Sequence, residues 1–302
     1  MNLFYKIICV FSVFVFFISC AENKEKKNKK DDILSGEITV LVDESLMPIV
    51  VEQKEVFESS YYNANINLVG KPEVQAVNDL LKGESAMIIL SRELTEEEKK
   101  TFVQRSITPR IYPFAYDAVV LVGSANVDST IKSQDVIDML VGKNYMGNKL
   151  VIDNPNSSVI RYFRELGKLD KIANTYLDVK GSAIEILNSV ADNDNQIGVL
   201  SLNQYLSLER SFTKKDKIRI LSVLNDSLES PKYVKPNQAS LSTGEYPLRR
   251  EVKILNYQPN MGLGMGFSAF VTGDRGQRIV LKSGLLPAKM PGREIIIRDN
   301  IN

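Results

Sequence analysis

Residues 37–70 read "EITVLVDESLMPIVVEQKEVFESSYYNANINLVG", and the spacing of apolar residues changes twice along them. "EITVLV" (37–42) is an apolar run of strand length. "LMPIVVEQKEVFESSYY" (46–62) spaces its apolar residues as an amphipathic helix does, and "INLVG" (66–70) returns to a strand. A strand, a helix and a strand within one short stretch make a parallel crossover unit. The rhythm continues with a helix over "PEVQAVNDLLKG" (72–83) and a strand at "AMIIL" (86–90). Thr95 and Glu98 then form a T-x-x-E capping box that opens a short charged helix. This alternation predicts an α/β lobe built on a mostly parallel sheet.

A second series follows the longer strand "YDAVVLVGS" (116–124). It contains a helix over "SQDVIDMLVG" (133–142), a strand at "KLVID" (149–153) and a helix after "NPNSS" (154–158). A further helix starts at "SAIEILNSVA", with Ser182 and Glu185 as a second capping box. "QIGVLS" (196–201), "IRILSV" (218–223) and "EVKILNY" (251–257) read as strands, and 231–247 as a polar, proline-containing connection. Helices are predicted at about 266–272 and 274–283. The intervening G-x-G-x-G (262, 264, 266) lacks the spacing of a dinucleotide loop and reads as a turn and close-packing segment. The chain therefore crosses between two α/β lobes twice, near 114–124 and 246–254. The expected division is 36–116 plus 250–302 for one lobe and 117–249 for the other.

The remaining residues precede the fold. "MNLFYKIICVFSVFVFFISC" (1–20) has Lys6, then an apolar run from Ile7 to Ile18, too short for the ~20 residues of a bilayer span and suited to a signal peptide. The run ends at Ser19-Cys20, which resembles a bacterial lipobox. Cleavage after residue 19 leaves Cys20 as a lipid-bearing N-terminus and removes Cys9, so no thiol remains in the folded part. Residues 20–35, charged and without periodicity, read as a solvated tether. The expected location is the cell envelope, lipid-anchored and facing the periplasm or the exterior.

Composition narrows the chemistry. The 302 residues carry 38 basic and 37 acidic side chains, so no net field points to nucleic acid. There is no histidine, which removes Ser-His-Asp and Cys-His catalysis and the commonest zinc ligand. A binding protein without cofactor or metal is expected rather than an enzyme.

Three strand-to-helix junctions are short and polar: "DESLMP" with Asp43, Glu44 and Ser45; "LSRELT" with Ser91 and Arg92; and "IDNPNSSVIR" with Asn154, Asn156, Ser157, Ser158 and Arg161. A helix start presents unpaired N–H groups and positive partial charge, an arrangement that receives anions. One such residue caps a helix for ~1 kcal/mol, and the third junction holds more candidates than one cap needs. A micromolar anion site requires about 8 kcal/mol net, so several junctions must combine. The natural place is the cleft between the lobes, with hinge closure over the ligand.

The order and spacing of "GEITVLVDESLMPIVVEQKEVFE", "DLLKGESAMIILSRELTEEE", "YDAVVLVGSANVDSTI", "VKPNQASLSTGEYPLRREVKILNY" and "GLGMGFSAFVTGDRGQRIVLKSGLLPAKM" resemble the substrate-binding proteins of phosphate-specific ABC transporters, in particular a lipoprotein branch. The resemblance implies a two-lobed, class II periplasmic-binding fold gripping inorganic phosphate or a related oxyanion and delivering it to an ABC permease. It implies anion contacts from Ser45, Ser91, Ser157 and Ser158; Arg161, or else Arg92 or Lys71, is the residue expected to supply charge. Two turns depart from the family pattern: "VGKPEV" carries Lys71 and no serine, and "NPNSSVIR" lacks the usual glycines. Some members carry an aspartate where Ser91 stands, and Asp43, Glu44 or Asp153 are the candidates to replace it. A binding fold with a decayed anion site, acting as an envelope scaffold, is the alternative these departures keep open.

Overall fold

The computed structural model describes residues 32–292. The signal segment, Cys20 and the tether as far as residue 31 lie outside the described residues. No helix among the described residues is long and apolar enough to cross a membrane.

Strand β1 (Gly36–Asp43) is mostly buried aliphatics, and helix α1 (Met47–Ser60) begins beside Pro48, whose missing N–H costs nothing in a first turn. β2 (Ala64–Lys71) pairs in parallel with β1 from Gly36↔Ala64 to Asp43↔Lys71. Helix α2 (Glu73–Lys82) stops at Gly83, which takes the left-handed φ of 87° that an L side chain resists. β3 (Met87–Leu90) joins the other side of β1, again in parallel. α3 (Glu96–Gln104) opens with the expected box, Thr95 accepting the Glu98 N–H and the Glu98 carboxylate accepting the Thr95 N–H.

β4 (Arg110–Ser124) is 15 residues long, about 50 Å at ~3.3 Å per residue. After it come β5 (Thr130–Ile131), α4 (Ser133–Leu140), β6 (Lys149–Ile152), α5 (Ser158–Leu166), β7 (Leu177–Val179), α6 (Ala183–Asp192), β8 (Gln196–Ser201) and α7 (Leu202–Glu209). The chain continues through β9 (Ile218–Ile220), β10 (Ser222–Asn225), β11 (Lys232–Val234) and α8 (Gln238–Ser242). It returns along β12 (Arg249–Asn256), α9 (Leu263–Thr272), α10 (Asp274–Ser283) and β13 (Leu286–Pro287).

The main sheet has the order β2-β1-β3-β12-β4-β8-β6-β7, and β11-β10-β5 form a small separate sheet. β4 is the seam of the main sheet. Its first half lies antiparallel to β12, from Arg110↔Asn256 to Ala118↔Arg249. Its second half pairs with β8, from Val119↔Ser201 to Val122↔Gly198, and with β9. One strand thus belongs to both halves of a curled sheet, and the expected two-lobed α/β architecture is the one observed. Val119 to Val122 are fully buried, as strands covered on both faces require. In the first half Phe57 of α1 packs edge-on against Phe267 and Phe270 of α9, at 5.4 and 5.3 Å between ring centroids.

Several local readings need correction. "IRILSV" is not one strand: the chain breaks at buried Leu221, with β9 remaining on β4 while β10 leaves to pair with β5 and β11. The polar stretch 231–247 holds β11 and the short helix α8, capped by Asn237, whose side chain accepts the Ser240 N–H. α7 follows β8 without a linker, its start hidden from the sequence because Ser201 serves both as last strand residue and as helix cap. At Ser182 only half the box forms, because the Glu185 carboxylate accepts from Gly181 N–H instead.

The glycine-rich stretch close-packs as expected, but it does so inside α9, which begins at Leu263. A Cβ on Gly266 would overlap the carbonyl of Ile33, so the chain entering β1 passes directly over this helix. Gly266→Ala is expected to lower unfolding stability by about 1–3 kcal/mol and to make the 32–35 segment protease-sensitive. Urea denaturation and limited proteolysis measure the two effects, and an unchanged midpoint would contradict the packing.

Candidate functional site

β1 delivers Asp43 to the sheet edge, and a single turn of 3-10 helix (Glu44–Leu46) carries Ser45 into the interior. Asp43 caps this turn: Oδ1 accepts the Ser45 N–H at 3.1 Å and Oδ2 the Ser45 hydroxyl at 2.9 Å. β3 ends one residue before Ser91, and α5 begins at Ser158. These three junctions, distant in sequence, arrive at one buried cluster. Ser45 Oγ lies 3.1 Å from Ser158 Oγ, and both side chains are fully buried.

The centre of the cluster is Arg250, a strand residue 3% exposed. Its guanidinium donates to Ser158 Oγ at 2.8 Å and to Ser45 Oγ at 3.3 Å, with Ser91 Oγ at 3.5 Å. It also donates to Asp117 Oδ2 at 2.5 Å, and Asp117 is its register partner across the β4–β12 ladder. Burial works against the charge of Arg250, but Asp117 and Asp43 outweigh it and raise its pKa. Asn203, on α7, fixes the far side: its N–H donates to Asp117 Oδ1 and its side-chain amide to the Ser45 carbonyl, both at 3.1 Å. The Ser201 hydroxyl donates to the same carbonyl at 2.8 Å.

A second layer is organised by Glu73, the fully buried first residue of α2. One of its oxygens, Oε1, accepts from Arg92 Nε at 2.7 Å, and Arg161 Nε is also 2.7 Å away. Arg161 donates onward to Ser91 Oγ at 3.2 Å and to Glu165, and Arg92 is held in a fork by Glu98. Three buried carboxylates, Asp43, Glu73 and Asp117, thus face three arginines, Arg92, Arg161 and Arg250. Some polar atoms have no partner: Glu73 Oε2, Arg250 Nε and Ser157 Oγ are buried without a hydrogen bond. Among the described residues no three His, Cys, Asp or Glu side chains converge as a metal-holding group.

The structure therefore brings together Ser45, Ser91, Ser158 and Arg161. Ser157 is buried beside them; it supports the ionised form of Asp153 without a well-formed hydrogen bond. Lys71 lies outside the cluster, its ammonium paired with Asp79 of α2. Asn154 and Asn156 build the turn, Asn154 Oδ1 accepting the Asn156 N–H at 2.8 Å. Of the three candidate acceptors, Asp43 is in the cluster, and burial pushes its carboxyl up against the pull of Arg250. Glu44 and Asp153 flank it; burial raises both, and the charges of Asp153 and Asp43 help push Glu44 to about 7.

Arg250, Asp117 and Glu73 were not among the residues picked from sequence. Arg250 had a signal: in "REVKIL" it shares the parity of Val252 and Ile254, which places it on their buried face. Asp117 and Glu73 had none, because charged residues at a strand middle and a helix start are ordinarily solvated.

Asp117 compensates the buried guanidinium of Arg250. Asp117→Ala is expected to cost about 3–5 kcal/mol, because it leaves Arg250 unpaired in the interior. Chemical denaturation measures this, and a cost below 1 kcal/mol would mean the pair is not the anchor described. Glu44 has a different signature. Its folded pKa, about 7, stands above the ordinary 4.5, so the folded state holds the extra proton and stability falls as pH rises from about 4.5 through about 7. Glu44→Gln should flatten that slope in denaturation curves taken across this range; an unchanged slope would exonerate Glu44.

With this geometry in hand, the comparisons are specific about fold. A protein assigned as a phosphate ABC transporter substrate-binding protein from Clostridium perfringens, solved with bound phosphate, superposes with a TM-score of 0.67 at 19% identity, covering 84% of this chain and 100% of its own. An ABC-type phosphate transport receptor from Vibrio cholerae gives 0.64 at 17% identity, covering 83% and 100%. The OxyR2 regulatory domain from Vibrio vulnificus gives 0.52 at 11% identity, covering 80% and 94%. None of the curated proteins matches the sequence. The family described as PBP superfamily domain matches residues 27–275, and the chain belongs to that family.

Proposed function

We propose that this chain is a lipid-anchored, non-enzymatic solute-binding protein that captures phosphate or a similar tetrahedral oxyanion and presents it to an ABC permease at the cell envelope. The observation that carries this reading is the convergence of Ser45, Ser91 and Ser158, from three separate strand–helix junctions, on the single buried guanidinium of Arg250. Hydroxyls and a guanidinium fixed by packing supply directed donors at little ordering cost, which is what an oxyanion receptor requires. Structural neighbours include two proteins described as phosphate receptors, which supports the choice of ligand class.

Access follows from burial. Ser45 and Ser158 have no exposed surface, so ligand entry requires the halves of the sheet to part. Among the described residues β4 and β12 carry the chain between them, and we assign 36–116 with 250–302 to one lobe and 117–249 to the other. Bending of those two strands is a hinge of the ordinary kind. Cys20 would carry the lipid, and the charged tether would hold the body away from the membrane.

A second reading has one observation in its favour. The three arginines are already held by carboxylates, Arg250 by Asp117, Arg92 by Glu73 and Glu98, and Arg161 by Glu73 and Glu165, as a decayed site serving as an envelope scaffold would require. Melting scans in phosphate-free buffer separate the two. A receptor gains RT ln(1 + [L]/Kd), about 2.7 kcal/mol at a hundredfold excess of phosphate, and Ser45→Ala with Ser158→Ala should abolish the gain while the protein still folds. A cooperative melt that does not move with phosphate, arsenate, sulfate or molybdate would refute the receptor reading.

A further inference from the structure

Glu73 is a buried carboxylate in a cluster that offers donors to an oxyanion, and it meets arginines from both halves of the sheet. Pro72 starts α2 with φ −51° and ψ 140°, which places Glu73 at the first helical position, where the helix terminus favours negative charge. The carboxylate points inward rather than to water, and its side chain has no exposed surface. It contacts Arg92 from its own half of the sheet and Arg161 of α5 from the other half. Both contacts go to one oxygen, Oε1, while Oε2 has no partner. The Arg161 Nε–H is close to Oε1 but not aligned with it as a hydrogen bond. The rest of the Arg161 guanidinium is engaged by Ser91 and Glu165.

We propose that Glu73 is an internal competitor for the oxyanion: by holding Arg161 across the cleft it clasps the two lobes together in the ligand-free protein and keeps that guanidinium from the incoming anion. The inference rests on the receptor reading above for the identity of the ligand, but the clasp itself does not.

The arrangement suits this role in three respects. A carboxylate offers Arg161 anionic oxygen acceptors as a tetrahedral oxyanion would, so the two exclude each other at one donor. Half of the acceptor capacity of Glu73 is unused, which makes the pair weaker than a bidentate fork and displaceable. A clasp that favours a closed, empty form lowers the fraction of binding-competent molecules, and the apparent affinity falls by that fraction. Glu73 thereby sets the ligand concentration at which the protein loads. The turn that produces it, "VGKPEV", is the one that carries a charged residue and no serine.

The test uses the full chain and Glu73→Gln, which keeps size and one acceptor while removing the charge. Small-angle scattering in phosphate-free buffer should give a larger radius of gyration for the variant than for the wild type. Isothermal titration with inorganic phosphate should give a dissociation constant about tenfold lower for the variant. Arg161→Lys is the second variant, for scattering alone, and should open the protein in the same way should Glu73→Gln fail to fold. Equal radii for the wild type and either folded variant would overturn the clasp. An open variant whose phosphate affinity is unchanged or weaker would overturn the competition. No phosphate binding by wild type and variant alike would overturn the receptor reading and the competition with it, while the scattering would still judge the clasp.

Discussion

The pairing of Arg250 with Asp117 is the constraint around which the rest of the molecule is arranged. Two residues face each other across the β4–β12 ladder, in the middle of the main sheet. Neither is accessible to water, so each is tolerable only in the presence of the other. A buried guanidinium offers more donors than one carboxylate can accept. The surplus is what draws in Ser45, Ser91 and Ser158, whose hydroxyls are the acceptors available in the interior. The ion pair therefore fixes the guanidinium on the β4–β12 ladder, and the guanidinium marks where the three polar junctions meet.

Around this pair the interior is polar but electrically economical. Asp43 organises Ser45 through both of its oxygens, and Asn203 ties Asp117 to the Ser45 carbonyl. Glu73 and the arginines 92 and 161 form a neighbouring layer, completed by Glu98 on Arg92 and Glu165 on Arg161. A site built from paired charges costs less to bury than one of uncompensated arginines. The orphaned atoms at Glu73, Arg250 and Ser157 mark the places where the network is incomplete.

Legibility in the sequence followed the range of the interaction. β1, α1, β2, α2, β3 and the Thr95–Glu98 box are fixed by contacts within a few residues, and their positions came out within a residue or two. Where one residue served two elements, as Ser201 ends β8 and caps α7, the boundary disappeared. Leu221 misled for a related reason: an unbroken apolar run gives no sign that its halves pair with different strands.

The candidate site divided along the same line. Serines gathered at strand–helix junctions are a local pattern, because capping and anion binding both arise from the N–H groups of a helix start, and Ser45, Ser91 and Ser158 were found that way. What the sequence alone determined was the alternation of strands and helices and the polar junctions. What only the tertiary structure decided was which charged residues turn inward. Arg250, Asp117 and Glu73 are buried because partners 133 residues apart in one case, and from opposite halves of the sheet in the other, compensate them there. Lys71 stays outside the cluster because Asp79, eight residues on in α2, pairs with it. The sign of a charge is written in the sequence, but whether water or another side chain answers it is settled only when distant segments come together.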